Sequence, residues 1–236
     1  MIVQRTPEWI DVRRGKPTAS EMWRLMSDAG TVNTFKAEKL AERMCGQLPD
    51  RVSRDNPNIM RGIDLEDEAI RSYEAATGLL TTPGYWVDKI SWGCTPDAFV
   101  EDDGLLQIKC PLPHNVIKSR YLVDEDWRKS EKKYYWQVMA EMAATDRQWA
   151  DVGLYCKDFV DRDNWLWVKR IERDDDAVAE LLEKIDEFCR SLDAVCRSAP
   201  RHEATSRETA PRDFAQRHEA APRDFADDDV SRFLRG

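Results

Sequence analysis

The chain has 236 residues, of which 42% are hydrophobic and 34% charged, a balance typical of one globular domain with a full core. Its runs of apolar residues are far shorter than the roughly 18 residues that a membrane helix needs, and the charges within MIVQRTPEWIDVRR predict no export signal, so we expect a cytoplasmic protein. The net charge of −9 excludes a broadly basic nucleic-acid surface. Nucleic acid could still bind at a local basic patch, for which the candidates are Arg5, Arg13, Arg14 and Lys16. It could also bind through a bound divalent metal.

Helices and short strands are predicted to alternate along most of the chain. The sequence predicts helices over residues 18–30, 34–46, 59–77, 113–122, 130–145 and 174–195, and strands over 85–88, 92–95, 98–101, 105–110, 148–156 and 163–171. We expect Gly30 and Gly78 to end the first and third helices. Helices that flank a central mixed sheet make an α/β or α+β domain over residues 1–196.

The composition changes after Cys196. APRDFA occurs at 210–215 and 221–226, and RHEA at 201–204 and 217–220. A stretch so rich in Ala, Arg, Asp and Pro buries too little apolar surface to fold alone, so we expect a disordered tail over 197–236. Its ending, DDDVSRFLRG, is either a docking peptide or a plain solvated tail.

The six cysteines are scattered without any Cys-x-x-Cys pair. This spacing favours reduced, mostly buried thiols and argues against a zinc or iron–sulfur site.

The stretch TPDAFVEDDGLLQIKCP, residues 95–111, carries the candidate chemistry. A hairpin turn centred on Asp103 would place Asp97 opposite Lys109 and Phe99 opposite Gln107. Because side chains alternate along a strand, Asp97, Gln107 and Lys109 would share one face. A carboxylate, an amide oxygen and an ammonium at one point suit Mg²⁺ and a phosphodiester. The alternative to a shared site is that Asp97 is only an acid in a turn and Lys109 only a lysine at a strand edge, without a common role.

At these residues the sequence resembles the PD-(D/E)xK nucleases, and its flanking motifs resemble the lambda-type exonucleases, also called the YqaJ-like viral recombinase family. The matching motifs occur in the same order over about residues 5–195. They are Trp9-x-x-x-Arg13-x-Gly15-x-x-Thr18-Ala19-Ser20-Glu21, Gly62-Ile63-Asp64-Leu65-Glu66, Pro96-Asp97, Gln107-Ile108-Lys109-Cys110-Pro111 and Tyr135-Trp136-Gln137-Val138, with Ile171-Glu172-Arg173-Asp174 before the last helix.

The resemblance implies a restriction-endonuclease-like core and a Mg²⁺-dependent 5′→3′ exonuclease on linear double-stranded DNA, with Mn²⁺ as a substitute metal. It implies 3′ overhangs that a single-strand annealing protein then uses, and a homotrimeric ring around the DNA. Such enclosure would help an acidic chain to stay on its substrate. A phage or prophage protein working in the cytoplasm of a bacterial host fits this reading.

The resemblance also implies residue roles. Asp97, Gln107, Glu66 and the backbone carbonyl of Ile108 would hold the metal. Lys109 would be the catalytic lysine and Gln137 would line the site. Arg13 and Ser20 would hold the terminal 5′-phosphate, a task that suits the bidentate guanidinium of arginine.

Gln107 departs from the family pattern, because an acidic metal ligand is expected there. The change is either a tolerated natural one, or an engineered substitution, or the mark of a DNA-end-binding clamp with weak or absent cleavage. Glu101, Asp102 and Asp103 lie too far along the hairpin to replace the missing acid. A repair nuclease of the same core, of the RecB-like or CRISPR-associated type, is a further alternative, although the latter usually carries a cysteine cluster.

Overall fold

A computed structural model of the chain describes residues 1–46 and 57–198. The predicted tail over 197–236 lies almost wholly outside the described residues, and so do residues 47–56. The described α-helices are α1 (Pro7–Arg13), α2 (Ala29–Cys45), α3 (Pro57–Thr77), α4 (Pro113–Ile117), α5 (Trp127–Ser130), α6 (Lys132–Thr145) and α7 (Asp175–Ser198). The described strands are β1 (Thr81–Pro83), β2 (Val87–Asp88), β3 (Gly93–Cys94), β4 (Ala98–Val100), β5 (Gly104–Lys109), β6 (Trp149–Tyr155) and β7 (Leu166–Glu172).

Five strands form the central sheet in the order β1-β4-β5-β6-β7, and β2 pairs with β3 beside it. The β5–β6 pair is parallel, whereas the other pairs of the central sheet are antiparallel. The predicted α/β domain with a mixed sheet and flanking helices is therefore confirmed. None of the described helices combines the length and the apolar character required for crossing a bilayer.

Helices cover both faces of the sheet. On one face, Leu105 and Val152 belong to a core that includes residues of α2, α6 and α7. On the other face, Leu106 and Ile108 pack with α3. Because successive strand residues point to opposite faces, Gln107 and Lys109 point to the side covered by α6, and Ile108 points to the side covered by α3.

The N-terminal third differs from the prediction at its helix boundaries. Residues 19–24 form a 3₁₀ helix, with Thr18 as its N-cap, rather than an α-helix that runs to Gly30. Gly30 lies in the first turn of α2, because the Asp28 side chain accepts a hydrogen bond from the N–H of Thr31 and so begins a new helix. The short α1 and β1 were not predicted. Gly78 follows α3 with φ +71°, as the expected helix stop requires.

The β4–β5 hairpin has a different register from the one predicted. Ala98 pairs with Leu106 and Val100 with Gly104, so the turn centres on Asp102 rather than on Asp103. Continuing this register by one residue sets Asp97 opposite Gln107 instead of opposite Lys109. The shift is by two residues, so the side chains keep the face that the alternation predicted.

Two polar contacts, one of them buried, fix α3 against the sheet. The Tyr73 hydroxyl donates a 2.7 Å hydrogen bond to Asp151 of β6, and the Tyr155 hydroxyl donates to Glu68 over 2.8 Å. These contacts hold the helix that carries Glu66.

Candidate active site

A cleft of about 380 Å³ opens where α3 passes the ends of β4 and β5. It contains both acids of the predicted metal site, Glu66 and Asp97, together with the predicted catalytic Lys109. The residues that line it are Arg5, Asn58, Ile59, Gly62, Ile63, Glu66, Asp97, Ile108, Lys109 and Cys110. Three distant motifs of the sequence therefore meet at one place.

Asp97 immediately precedes β4 and is partly buried. Its carboxylate accepts a 2.7 Å hydrogen bond from the backbone N–H of Ile108. Burial raises the pKa of Asp97, while the charge of Lys109 and the Ile108 N–H act in the opposite direction. The acid is thus fixed against β5, at the position where a cation would relieve the cost of its burial.

Glu66 reaches the same cleft from α3. Burial raises its pKa, and the nearby charge of Asp97 raises it further. The Arg5 guanidinium donates a hydrogen bond to Glu66 and partly offsets this repulsion. Two carboxylates that repel each other across a cleft are a common arrangement at cation sites.

Lys109 and Gln107 point the same way from β5. The ammonium of Lys109 donates a 3.0 Å hydrogen bond to Oε1 of Gln107. Lys109 lines the cleft, whereas Gln107 is only 1% exposed. The amide that stands in the expected acidic position therefore lies directly behind the cleft.

Gln137 of α6 also reaches Gln107. Its Nε2 donates hydrogen bonds of 2.9 Å to Oε1 of Gln107 and to Oε1 of Glu141. Gln137 therefore contacts Gln107 from behind, and it is not among the residues that line the cleft.

Glu141 was not predicted from the sequence as a residue of the site. This acid is 1% exposed, and its Oε1 also accepts a 3.1 Å hydrogen bond from Nε2 of Gln107. Burial raises the pKa of Glu141 to about 8, and the charge of Asp97 acts in the same direction. The available signal was an acid one helical turn after Gln137, within the apolar run VMAEMAA.

The approach of Gln4 was not predicted from the sequence either, and Arg5 was expected only as part of a local basic patch. The Gln4 side chain donates a 3.5 Å hydrogen bond to the backbone carbonyl of Thr95, and its proximity lowers the pKa of the Asp97 carboxyl. Arg5 has a φ of +67°, which is rare for a residue with a side chain. Arg5 thus combines this strained backbone conformation with a guanidinium that lies in the cleft.

Arg13 and Ser20 lie at the ends of adjacent elements. The Arg13 guanidinium stacks 3.8 Å from the centre of the Trp9 ring, and burial lowers its pKa. The Trp9 indole N–H donates to the hydroxyl of Thr95 over 2.9 Å, two residues before Asp97. Ser20 is exposed in the first turn of the 3₁₀ helix. A chain of contacts therefore connects Arg13 to the segment that carries Asp97.

Residues of α2 anchor the loop that follows Arg13. The N–H of Gly15 donates a 3.0 Å hydrogen bond to Glu42, which is 2% exposed and pairs with the buried Lys39. Gly15 has φ +68°, and a Cβ there would lie 2.4 Å from the Arg43 side chain. Only glycine fits this turn, which sets the end of α1 beside the 3₁₀ helix.

The donor set of the cleft suits a hard cation. Within residues 1–46 and 57–198, no three His, Cys, Asp or Glu side chains form a ready-made metal cage. Mg²⁺ needs no such cage, because it keeps several waters and binds through one or two carboxylates. Glu66 and Asp97 supply that number. Cys110 also lines the cleft, but burial raises its pKa to about 11, so it stays a neutral thiol.

A family model for the YqaJ-like viral recombinase domain matches residues 8–148. This range includes the motifs around Arg13, Glu66, Asp97, Lys109 and Gln137. No curated protein matches the chain.

Solved structures of exonucleases share the fold. An alkaline exonuclease, LHK-Exo, from Laribacter hongkongensis is 31% identical, with a TM-score of 0.72 over 81% of this chain and 95% of that one. The complex of LHK-Exo with dAMP is 32% identical, with the same TM-score and coverage. A phage related exonuclease from Haemophilus somnus 129PT is 15% identical, with a TM-score of 0.65 over 77% of this chain and 95% of that one, and so shares the fold alone.

Proposed function

The chain belongs to the YqaJ-like viral recombinase family, and on that premise we propose that it is a metal-dependent DNA exonuclease. The observation that supports this most directly is the meeting of Glu66, Asp97 and Lys109 in one cleft. Two carboxylates that can hold a cation, beside one ammonium, suit the hydrolysis of a phosphodiester. Membership of this family indicates that the polymer that is cut is DNA.

Asp97 and Glu66 would hold a divalent cation, with the Ile108 carbonyl as a neutral oxygen donor. The Gln107 amide oxygen would join them by giving up its hydrogen bond from Lys109 or from Gln137. When bound, Mg²⁺ offsets the charge that develops on the phosphodiester and lowers the pKa of the attacking water. Mn²⁺ would substitute, because it prefers the same oxygen ligands. These assignments use only donors that lie in or directly behind the cleft.

Lys109 would act on the attacking water or on the scissile phosphate. Its ammonium is held by Gln107, so it keeps one orientation toward the cleft. A positioned lysine of this kind either takes a proton from water or binds a phosphate oxygen. In both roles its loss would slow the chemical step more than it would weaken DNA binding.

The substrate would be linear double-stranded DNA with a 5′-phosphate, digested from 5′ to 3′. Arg13 and Ser20 would hold the terminal phosphate, beside the loop that Gly15 and Glu42 fix. The remaining strand would form a 3′ overhang for a single-strand annealing protein. A homotrimeric ring would keep this acidic chain on DNA, and the work would take place in the cytoplasm of a bacterial host of a phage or prophage.

A DNA-end clamp without cleavage is the second candidate. The observation in its favour is Gln107, a neutral amide in a position where metal binding would profit from a charge. Such a clamp would bind 5′-phosphorylated ends and leave the length of the DNA unchanged.

Time-resolved digestion of end-labelled duplex separates the two candidates. The parent and Gln107→Glu are each incubated in Mg²⁺ and in Mn²⁺ with 5′-phosphorylated duplex, 5′-hydroxyl duplex and closed circular DNA. The exonuclease predicts that the parent shortens the 5′-phosphorylated duplex and leaves circles intact. Full-length duplex after long incubation in both metals would favour the clamp, and cut circles would indicate an endonuclease.

A further inference from the structure

Glu141 makes contacts behind the cleft, and the family motifs assign this residue no role. Its Oε1 accepts hydrogen bonds from two amide groups, Nε2 of Gln107 at 3.1 Å and Nε2 of Gln137 at 2.9 Å. Among the described residues its other oxygen, Oε2, is buried and has no hydrogen-bond partner. An acid buried to this degree is costly to keep, so its presence behind the cleft calls for a compensating role.

The contacts of Glu141 set the orientation of the Gln107 amide. The Oε1 of Glu141 serves as an acceptor, so the NH₂ group of Gln107 must face it. The amide oxygen of Gln107 then faces the other way, where it accepts from Lys109 at 3.0 Å and from Gln137 at 2.9 Å. A glutamine at 141 could instead present its own NH₂ group, and Gln107 would then lose the acceptor that holds its NH₂ group.

Glu141 also provides the acidic group that is missing at position 107. The two side chains touch, both are 1% exposed, and together they carry at most one negative charge. A glutamate at 107 beside a glutamine at 141 would carry the same single charge with the same atoms exchanged. The turn acids Glu101, Asp102 and Asp103 are exposed at the far end of the hairpin and make no such contact with Gln107.

We propose that Glu141 is a positioning residue, and that the Gln107–Glu141 pair replaces the single acidic ligand expected at 107. Glu141 holds the Gln107 oxygen toward Lys109 and the cleft, and it contributes the one acidic group of the pair, which could ionise when a cation binds. This inference rests on the proposed metal-dependent function of the cleft.

Metal binding by four variants of the full chain tests the inference. They are Glu141→Gln, Gln107→Glu, the exchange variant Gln107→Glu with Glu141→Gln, and Asp102→Asn, which removes one exposed charge from the hairpin turn. Binding of Mg²⁺ and Mn²⁺ is measured by calorimetry at the same pH for the parent and for every variant. Digestion of duplex DNA is measured in parallel.

The expected result is a loss of metal affinity of about 10- to 100-fold in Glu141→Gln, the range found for groups that orient metal ligands. The exchange variant should recover the parental affinity, and Asp102→Asn should keep it. A merely structural role of Glu141 would not produce recovery on exchange. Parental affinity in Glu141→Gln, or no recovery in a folded exchange variant, would overturn the inference.

The two readouts separate this inference from the proposed function. One outcome is that the parent binds metal, Glu141→Gln does not, and the parent cuts no DNA. This outcome supports the role of Glu141 and contradicts the proposed nuclease activity. A parent that cuts DNA while Glu141→Gln binds metal equally well contradicts the Glu141 role alone.

Discussion

The carboxylate of Asp97 accepts a 2.7 Å hydrogen bond from the backbone N–H of Ile108, and this bond fixes the acid against the strand that carries Lys109. Asparagine at 97 keeps an acceptor oxygen for the same N–H but removes the charge. We therefore expect Asp97→Asn to fold normally.

Asp97→Asn should reduce DNA digestion at least about 100-fold, because a bound metal contributes several kcal/mol of transition-state stabilisation. Digestion of labelled duplex measures the loss, and circular dichroism checks the fold. Asp102→Asn is the control, with one exposed acid neutralised at the other end of the hairpin. Equal digestion by both variants would remove Asp97 from the active site.

Lys109→Met tests the role of the ammonium. The change removes the donor to Gln107 and any contact with water or phosphate, while the aliphatic part of the side chain remains. We expect a loss of about 10²- to 10⁴-fold in the rate of digestion, as for other proton-transfer groups. DNA binding, measured by mobility shift, should change little.

Lys129→Met serves as the control for Lys109→Met, because Lys129 is exposed and pairs with Asp126. A Lys109→Met protein that digests DNA at the rate of this control would contradict the assigned role.

Arg13→Ala should abolish the preference for 5′-phosphorylated ends. The guanidinium is held by its stacking on Trp9, so it is oriented before DNA binds. Its neighbour Arg14 is exposed and pairs with Asp11, so Arg14→Ala is a control of equal charge change. Rates on 5′-phosphate and 5′-hydroxyl duplexes are compared for both variants. A preference that survives in Arg13→Ala and disappears in Arg14→Ala would reverse the assignment.

The sequence predicted the pieces of the site better than their arrangement. Alternation along β5 correctly placed Gln107 and Lys109 on one face, since that depends only on strand geometry. The hairpin register was wrong by two residues, because a run of Glu-Asp-Asp-Gly allows the turn to form at more than one position. Local residue types do not settle such a choice.

Contacts between distant segments were beyond reach of the sequence alone. Glu141 meets Gln107 across 34 residues of chain, because α6 lies on the connection between the parallel strands β5 and β6. Arg5 reaches Glu66 only through an unusual backbone conformation at +67°. Neither hydrophobic periodicity nor residue spacing predicts these contacts between distant segments. The end of α3 at Gly78, in contrast, can be predicted from that one residue.

The burial of Glu141 predicts a pH-dependent stability in the absence of metal. Its pKa of about 8 in the fold lies above the ordinary value of 4.5, so the folded chain holds a proton that the unfolded chain releases. The stability from this group is fully present below the ordinary pKa and is lost as the pH rises toward 8. The loss approaches about 1.4 kcal/mol per pH unit within this window.

Glu141→Gln cannot ionise, so its free energy of unfolding should rise relative to that of the parent as the pH increases from about 5 to 8. Urea unfolding in EDTA at a series of pH values measures both proteins. Parallel stability curves for the two would contradict the burial of an ionisable group at 141.

The most direct measurement of the central claim follows the two ends of one strand during digestion. A linear duplex carries different fluorescent nucleotides near the 5′ and 3′ ends of one 5′-phosphorylated strand, and the other strand is blocked at its 5′ end. We expect the parent to release the 5′ label first, only in Mg²⁺ or Mn²⁺, and Asp97→Asn to release neither label. Release of the 3′ label first, release in EDTA, or undiminished release by Asp97→Asn would contradict this expectation.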